Sequence, residues 1–304
     1  MTRRIIKSVA GLMLVTLLLA CGAHIINSGD AELPARPPGA LRVATLNVHY
    51  IDQSARDGPW SLPGWERRKR PMDAAVKAIG PDILALQESE TFPATNRNGT
   101  NLTLDFLLER NPGHAAAATG DPAAFPSTQP ILYRTDRLTL LEQGWFFFSD
   151  TPDVIYSPTF DGSWPAFASW AEFRAPSGQV FRVVNVHFEY RSGSNRLLSA
   201  ALVRDRIAPV IAGGTPVLLM GDINALHGSR TMARLERAGL DFLPVDGATY
   251  HFNRGINLFG AIDHIARSGG IGPAGDPVVL RRRFGATWPT DHYPVLADLR
   301  MTEQ

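Results

Sequence analysis

The chain has 304 residues, 44% of them hydrophobic and 19% charged, with a formal net charge of +1. That composition excludes a disordered chain, a collagen-like fibre and a coiled coil, and the near-neutral charge argues against a protein that coats nucleic acid. The length suits one large domain or two small ones, since a domain typically runs ~100–200 residues. One Cys in the whole sequence excludes a disulfide framework and a multi-thiolate zinc site, so a bound metal must be held by oxygen or imidazole.

At the N-terminus Arg3, Arg4 and Lys7 precede an uncharged apolar run over 9–20, the arrangement of a secretory signal. Twelve residues fall short of the ~20 needed to cross a bilayer core. The run ends Leu18-Leu19-Ala20-Cys21, which resembles the lipobox of bacterial lipoproteins, where the signal is cut before a Cys that then carries acyl chains. The alternatives are an uncleaved anchor or a Cys there by chance. Cleavage would remove three basic and no acidic residues and leave a net charge of −2. On this reading residues 1–20 are a lipoprotein signal peptide, Cys21 is the lipidation site, and the protein sits in the bacterial cell envelope, facing outside the cytoplasm. Residues 21–40 include Ser28-Gly29-Asp30 and Ala35-Arg36-Pro37-Pro38-Gly39, lack apolar periodicity, and read as a flexible tether. Residues 41–304 then form one domain, expected to be a monomer.

Within that domain the apolar run 41–48 predicts a buried strand. A helix is expected over 66–79, with Pro71 a possible interruption, then a strand over 81–86 and a helix over 102–109. Strands follow over 131–133, 138–148, 166–173 and 180–188, with Pro176-Ser177-Gly178 as a turn. Helical spacing returns over 195–211, a buried strand over 216–220, a helix over 231–238, and late strands over 261–266 and 293–299. Many strands with few helices between them point to an α+β class rather than a βα repeat.

Several of these apolar runs end in a carboxylate, amide or imidazole: Asn47, Glu88, His187, Asp222 with Asn224, Asp263, and Asp291 with His292. A buried charge is costly unless paired or metal-bound, and carboxylate and amide oxygens suit Mg²⁺, Mn²⁺ or Ca²⁺ better than zinc. Taken singly, each has an ordinary alternative as a turn residue, a helix cap or a satisfied core histidine. Taken in order, Thr45-Leu46-Asn47-Val48, Leu86-Gln87-Glu88, Asn185-Val186-His187-Phe188, Gly221-Asp222-Ile223-Asn224, Ile262-Asp263-His264-Ile265 and Thr290-Asp291-His292-Tyr293-Pro294-Val295 resemble the endonuclease/exonuclease/phosphatase superfamily over the whole of 41–300. Residues 131–134, 144–147 and 149–152 are similar to a bacterial subgroup of it.

The resemblance implies a four-layered α/β/β/α sandwich of two mostly antiparallel sheets flanked by helices. It also implies a divalent-metal-dependent phosphoester hydrolase, most simply a phosphodiesterase using Mg²⁺. Glu88, Asn47 and Asp291 match the metal-side positions; Asn47, His187 and Asn224 match phosphate-side positions. Asp222 matches the group that orients the attacking water, His292 the histidine on the scissile phosphate, and Asp263 the acid that orients that histidine. His49 and His264 depart from the family pattern, the first where some nucleases carry an acid, the second where an aromatic is common. Arg134, Arg191 and Arg196 are candidate phosphate ligands or plain surface arginines, and Arg281-Arg282-Arg283 is expected to be a solvated face. Tyr156, Phe160, Trp164, Phe167 and Trp170 could line a substrate groove or simply pack. A net charge of −2 without a dense basic run disfavours tight, non-specific duplex binding, which leaves nucleic acid, nucleotide or phospholipid headgroup as substrate. The second class of reading is a membrane-anchored lipoprotein that keeps the fold only to bind.

Overall fold

The computed structural model describes residues 2–29, 32–92, 100–162 and 164–302. In chain order these form α1 (Thr2–Ile26), β1 (Leu41–Asn47), β2 (Ile51–Asp52), α2 (Leu62–Ile79), β3 (Ile83–Gln87), β4 (Thr91–Phe92), α3 (Leu102–Arg110), β5 (His114–Ala117), β6 (Ile131–Arg134), β7 (Thr139–Phe147), β8 (Phe167–Arg174), β9 (Val180–His187), α4 (Gly193–Ala212), β10 (Val217–Asp222), α5 (Arg230–Glu236), β11 (Asp241–Phe242), β12 (Asp263–Arg267), β13 (Ile271–Pro273), β14 (Val278–Val279) and β15 (Val295–Met301). One sheet is ordered β13-β15-β1-β3-β6-β5, with β14 also on β15; the other is ordered β11-β12-β10-β9-β8-β7. Each is antiparallel except at one inner pair, β1 with β3 and β9 with β10.

Side chains alternate across a strand, and here alternate residues feed different cores. Val43, Ile83, Ala85 and Ile131 of the first sheet meet Phe173, Phe181, Val183, Leu218, Met220 and Ile265 of the second between the sheets. Ala44, Leu46, Leu84 and Leu86 turn the other way, onto Trp65, Met72, Val76 and Ile79 of α2 and Leu104 and Leu107 of α3. Val184, Val186, Val217 and Leu219 turn onto Ala200, Val203 and Ile207 of α4 and Met232 and Leu235 of α5. The layers therefore run α/β/β/α, the sandwich expected from the sequence. Strands buried on both faces read as near-continuous apolar runs, which is why the central ones are visible in the sequence.

Local signals fix the helix ends. Ser61 caps α2, its Oγ accepting from the Gly64 N–H, and Gly80 closes it at φ 58. Pro71 does not interrupt α2: the buried stripe Trp65, Met72, Val76 and Ile79 packs on the sheet on both sides of it. β5 escapes the sequence because three of its four residues are alanines; pairing with β6 makes it a strand.

The N-terminal run is longer than the twelve residues counted over 9–20. Residues from Cys21 to Ile26 extend the helix, and Ser8–Ile26 is 19 residues of a length and composition that could cross a membrane or serve as a signal sequence. The stretch read as a tether thus begins inside α1. Further on, Arg36 pairs with Asp82 (3.0 Å) and the Arg42 guanidinium donates to Pro34 O (2.9 Å). Asp30 of that stretch lies outside the described residues.

Candidate active site

Where the inward-facing series reaches the carboxyl ends of the inner strands, it turns polar: Val43-Thr45-Asn47, Ile83-Ala85-Gln87, Val183-Asn185-His187 and Leu218-Met220-Asp222. The registers Asn47↔Gln87, Asp222↔His187 and Asp222↔Asp263 set these ends side by side. Immediately beneath them a buried amide layer joins the sheets. Gln87 Nε2 donates to Thr45 Oγ1 (3.0 Å) and to Asn185 Oδ1 (2.7 Å), and Asn185 Nδ2 donates to Leu86 O (2.8 Å). A satisfied buried network of this kind rigidifies what it links, so groups from opposite sheets are held at fixed separations.

Those groups form one pocket. Asn47 Nδ2 donates to Glu88 Oε1 (3.0 Å) and to Asp222 Oδ2 (3.3 Å). His187 Nε2 faces the same two carboxylates, 3.8 Å from Glu88 Oε1 and 3.7 Å from Asp222 Oδ2. His292 Nδ1 lies 2.8 Å from Asp263 Oδ2, and its Nε2 lies 3.8 Å from Asp222 Oδ2. The Asn224 backbone N–H donates to Asp222 Oδ1 (2.9 Å), while its side-chain amide donates to Phe188 O (2.9 Å) rather than into the pocket. Asp291 stands across the ring of His49: His49 Nδ1 is 3.8 Å from Glu88 Oε2, and Nε2 is 3.8 Å from Asp291 Oδ2. All eight residues singled out from the sequence therefore lie around one site, with His49 inserted between Glu88 and Asp291.

Electrostatics divides the pocket into roles. Burial raises the Asp222 carboxyl, as does the charge of Asp263, and despite His292 and His187 it titrates at about 6. Burial alone would lower His292, but the charge and hydrogen bond of Asp263, with Asp222 and Asp291, outweigh it and lift the imidazole to about 10. Burial would raise Asp291, yet His49 and His292 hold it below the usual carboxylate range. Burial keeps His49 below its ordinary value in spite of Asp291 and Glu88. Asp222, Asp263 and His292 form the buried Asp/Asp/His group among the described residues close enough to share an ion. A protonated His292 already bonded to Asp263 is a poor ligand, however, so proximity there favours proton handling. The oxygen-rich side, Glu88 with Asn47, suits a hard cation better. Glu88 is only half-buried and open to the pocket, and the four carboxylates converging here favour a positive ion among them.

A profile of the endonuclease/exonuclease/phosphatase family matches residues 44–292. The chain belongs to that family. Among solved structures, an endonuclease/exonuclease/phosphatase family protein of Bacteroides thetaiotaomicron is 25% identical with a TM-score of 0.74, covering 88% of this chain and 100% of its own. A mannosyl-6-phosphatase of Bacteroides thetaiotaomicron VPI-5482 is 26% identical with a TM-score of 0.71, covering 85% of this chain and 99% of its own. The human Nocturnin catalytic domain, with bound sulfate, is 17% identical with a TM-score of 0.59, covering 88% of this chain and 97% of its own, and bears on the fold alone. No individually curated sequence matches. Family relatives of this kind are hydrolases.

Beyond the family motif, the pocket depends on residues the sequence does not advertise. Arg68, on the buried side of α2, donates to Val48 O (2.6 Å), His49 O (2.7 Å) and Tyr50 O (3.3 Å), pinning the loop after Asn47. Burial lowers its pKa to about 10, with Asp291 and Glu88 acting the other way. A basic residue in a basic helix, Glu66-Arg67-Arg68-Lys69-Arg70, looks like surface; only its position on the apolar stripe could have marked it. Thr249 Oγ1 accepts from the Ile262 and Asp263 N–H groups (3.0 and 3.1 Å), and the Tyr250 ring packs edge-on to His292 at 5.0 Å.

Other candidates fall elsewhere. Arg134 pairs with Asp136, and its N–H bonds Asp82 O, at the end of β3 opposite the pocket. Arg196 donates to Glu189 O (2.8 Å) and Tyr190 O (2.9 Å), shaping a loop, and Arg191 lies over the Tyr190 ring at 5.0 Å. His264 bonds Ala225 O and packs on Phe242, taking the aromatic's place in the core. Phe167 packs on Phe147, Trp170 lies under Arg182 at 3.9 Å, and Tyr156 bonds Pro122 O, so none of these three is shown in the pocket. Phe160 packs on the outer core of the second sheet.

Proposed function

We propose that the protein is a divalent-metal-dependent phosphoester hydrolase, a monomer attached to the bacterial cell envelope outside the cytoplasm. The observation that carries this reading is the convergence of both sheets on one point: Asn47 and Glu88 from the first, His187 and Asp222 from the second, all within hydrogen-bonding or ion-pairing reach. The raised Asp222 carboxyl and the raised His292 imidazole, buried in the same pocket, favour catalysis over binding alone.

Asn47 and Glu88, with Asp291 beyond His49, are the residues to hold Mg²⁺, Mn²⁺ or Ca²⁺, and when bound the ion would polarise a phosphoryl oxygen and offset charge in the transition state. Asp222 accepts a proton from the attacking water, since its carboxylate is ionised just below neutral pH. The Asn224 backbone N–H fixes the Asp222 carboxylate in orientation. His292, kept protonated and aimed by Asp263, offers Nε2–H to the anionic phosphate, and His187 offers its Nε2 from the opposite side. The alkoxide of the leaving group takes its proton from an acid in the same pocket, for which His292 has the charge and position.

A phosphodiester is the first substrate reading: nucleic acid, nucleotide or a phospholipid headgroup. The likeness to a mannosyl-6-phosphatase favours a second, a sugar phosphate monoester. The deciding experiment is a hydrolysis panel on purified protein: bis-p-nitrophenyl phosphate, DNA, RNA, sphingomyelin, phosphoinositides and mannose 6-phosphate, each with Mg²⁺, Mn²⁺ or EDTA. Hydrolysis of one class that EDTA abolishes is expected. Activity indifferent to EDTA contradicts the metal-assisted mechanism.

A further inference from the structure

The last turn of α1 is bonded to the domain beside the pocket. His24 Nδ1 accepts from the Asn257 N–H (3.1 Å), Asn257 Nδ2 donates to Ser28 Oγ (2.8 Å), and the Ala248 N–H donates to Asn27 O (3.0 Å). Arg281 reaches Gly29 O at 3.3 Å. From the other side Tyr293, the residue after His292, donates through its hydroxyl to Asn257 Oδ1 (3.2 Å). One residue, Asn257, thus joins the end of an apolar helix to Tyr293, a core residue next in sequence to His292.

Around this junction exposed apolar and basic side chains cluster, alongside the exposed Asp246, whose backbone carbonyl Arg281 also bonds. Phe252, Ile256 and Leu258 are 38%, 38% and 39% exposed, and Ile25 and Ile26 at the end of α1 are 74% and 81% exposed. Arg254, Arg282 and Arg283 are exposed among and beside them. Residues 250–259 contain no carboxylate, and none of the Ser8–Ile26 span is buried in the domain. Apolar side chains flanked by guanidinium groups partition to the lipid–water boundary, the first into the acyl edge and the second onto anionic headgroups. The arginine run that reads as a solvated face in sequence therefore has a chemical counterpart, because Arg281 ties it to α1.

We propose that the loop 250–259 docks on the surface of an anionic lipid bilayer, latched to the end of α1, so that the pocket opens along the membrane and does not swing on a loose linker. The proposal rests on the membrane attachment put forward above and not on the hydrolase reading. Cleavage before Cys21 leaves it intact, since His24 follows an acylated Cys21 by only about 5 Å of helix.

Full-length protein in phosphatidylethanolamine–phosphatidylglycerol vesicles carrying a diazirine phosphatidylglycerol tests it, with lipid adducts mapped by mass spectrometry. Adducts are expected on residues 21–26 and 250–259 and not on 204–206 of α4. Ser28→Ala with Asn257→Ala should keep the adducts on 21–26 and lose those on 250–259 several-fold, with an unchanged thermal unfolding transition attesting to the fold. Arg282→Glu with Arg283→Glu, which leaves the latch untouched, should also weaken labelling of the loop. Wild-type labelling of α1 without the loop overturns the docking, as does undiminished loop labelling in both double variants. No labelling of either segment overturns the membrane attachment along with it.

Discussion

Asp222→Asn should make the protein more stable and inactive. The Asp222 carboxyl is raised from 3.8 to about 6 by burial and by Asp263, so ionising it in the folded protein costs about 3 kcal/mol, at ~1.4 kcal/mol per pKa unit. Asparagine removes that cost but loses the 3.3 Å hydrogen bond from Asn47 Nδ2, worth about 1 kcal/mol, for a net gain of about 2 kcal/mol. A folded-state pKa above the unfolded value means the wild type carries its full stability from this group below pH ~3.8 and loses it as pH rises through about 6. The variant should therefore be about 1 kcal/mol less stable than the wild type near pH 4, where only the lost hydrogen bond counts, and about 2 kcal/mol more stable by pH 7. In EDTA, so that bound metal does not contribute, urea unfolding across that range would measure it, and thermal unfolding at pH 7 should rise by roughly 4–8 °C. Hydrolysis should fall ~10²-fold or more, the order for loss of a general base. A variant that is less stable at pH 7, or whose advantage does not change with pH, would refute the electrostatic reading of the pocket.

Asp263→Asn removes the charge, and at most keeps a neutral acceptor, where Asp263 holds His292 protonated to about 10, so its imidazole NMR signals should show a neutral ring at pH 7 and hydrolysis should drop ~10²-fold. In the wild type that raised pKa gives stability that is complete below pH 6.5 and is lost as pH climbs toward 10; the variant should show no such loss in urea titrations over the same range. Arg68→Met strands the buried carbonyls of Val48 and His49, at ~1–3 kcal/mol each, so unfolding free energy should fall by about 3 kcal/mol and activity with it. Arg68→Lys should restore only part of both, lacking the planar fork. Gly221→Ala puts a Cβ 1.9 Å from Val186 O at φ 146, and a loss of about 3 kcal/mol or more in urea unfolding is expected.

What the sequence reveals and what it hides follow one physical line. The central strands β1, β3, β9 and β10 are legible because they are buried almost throughout and mostly apolar, with only Arg42, Thr45, Arg182 and Asn185 interrupting them before their polar ends. The site is legible for the same reason: Asn47, His187 and Asp222 are the polar residues that end those runs. Groups acting across long separations are not. Arg68 looks like one more charge on a basic helix, and its work is done on carbonyls 18 to 20 residues away. The amide layer of Gln87 and Asn185 depends on the packing of two sheets that no local pattern encodes. Pro71 misleads in the other direction, since tertiary packing of α2 overrides a local helix breaker.

Backbone conformation explains why the polar residues face inward together rather than capping separate turns. His49, Glu88 and Asn224, each placed just past the end of β1, β3 or β10, hold φ at 58, 53 and 49, the left-handed region that non-glycine residues seldom enter. Such residues persist only where the surroundings over-determine them, at a cost of order 1–3 kcal/mol each. Here the surroundings are visible: Asn47 Oδ1 accepts from the His49 N–H, Tyr50 N–H reaches Glu88 Oε2, and the Asn224 N–H is held by Asp222 Oδ1. Each reversal turns the chain sharply at the strand's end, so that Glu88 points back over the sheet toward Asp222 and His187. Gly221, with Val186 O where its side chain would be, lets β10 lie close enough to β9 to bring Asp222 beside His187. Strain placed at three strand ends, with the site's own acids and amides holding it there, ties the stability of the pocket to its polar occupants. Relaxing the turns would therefore stabilise the fold only by dispersing the carboxylates that make the site.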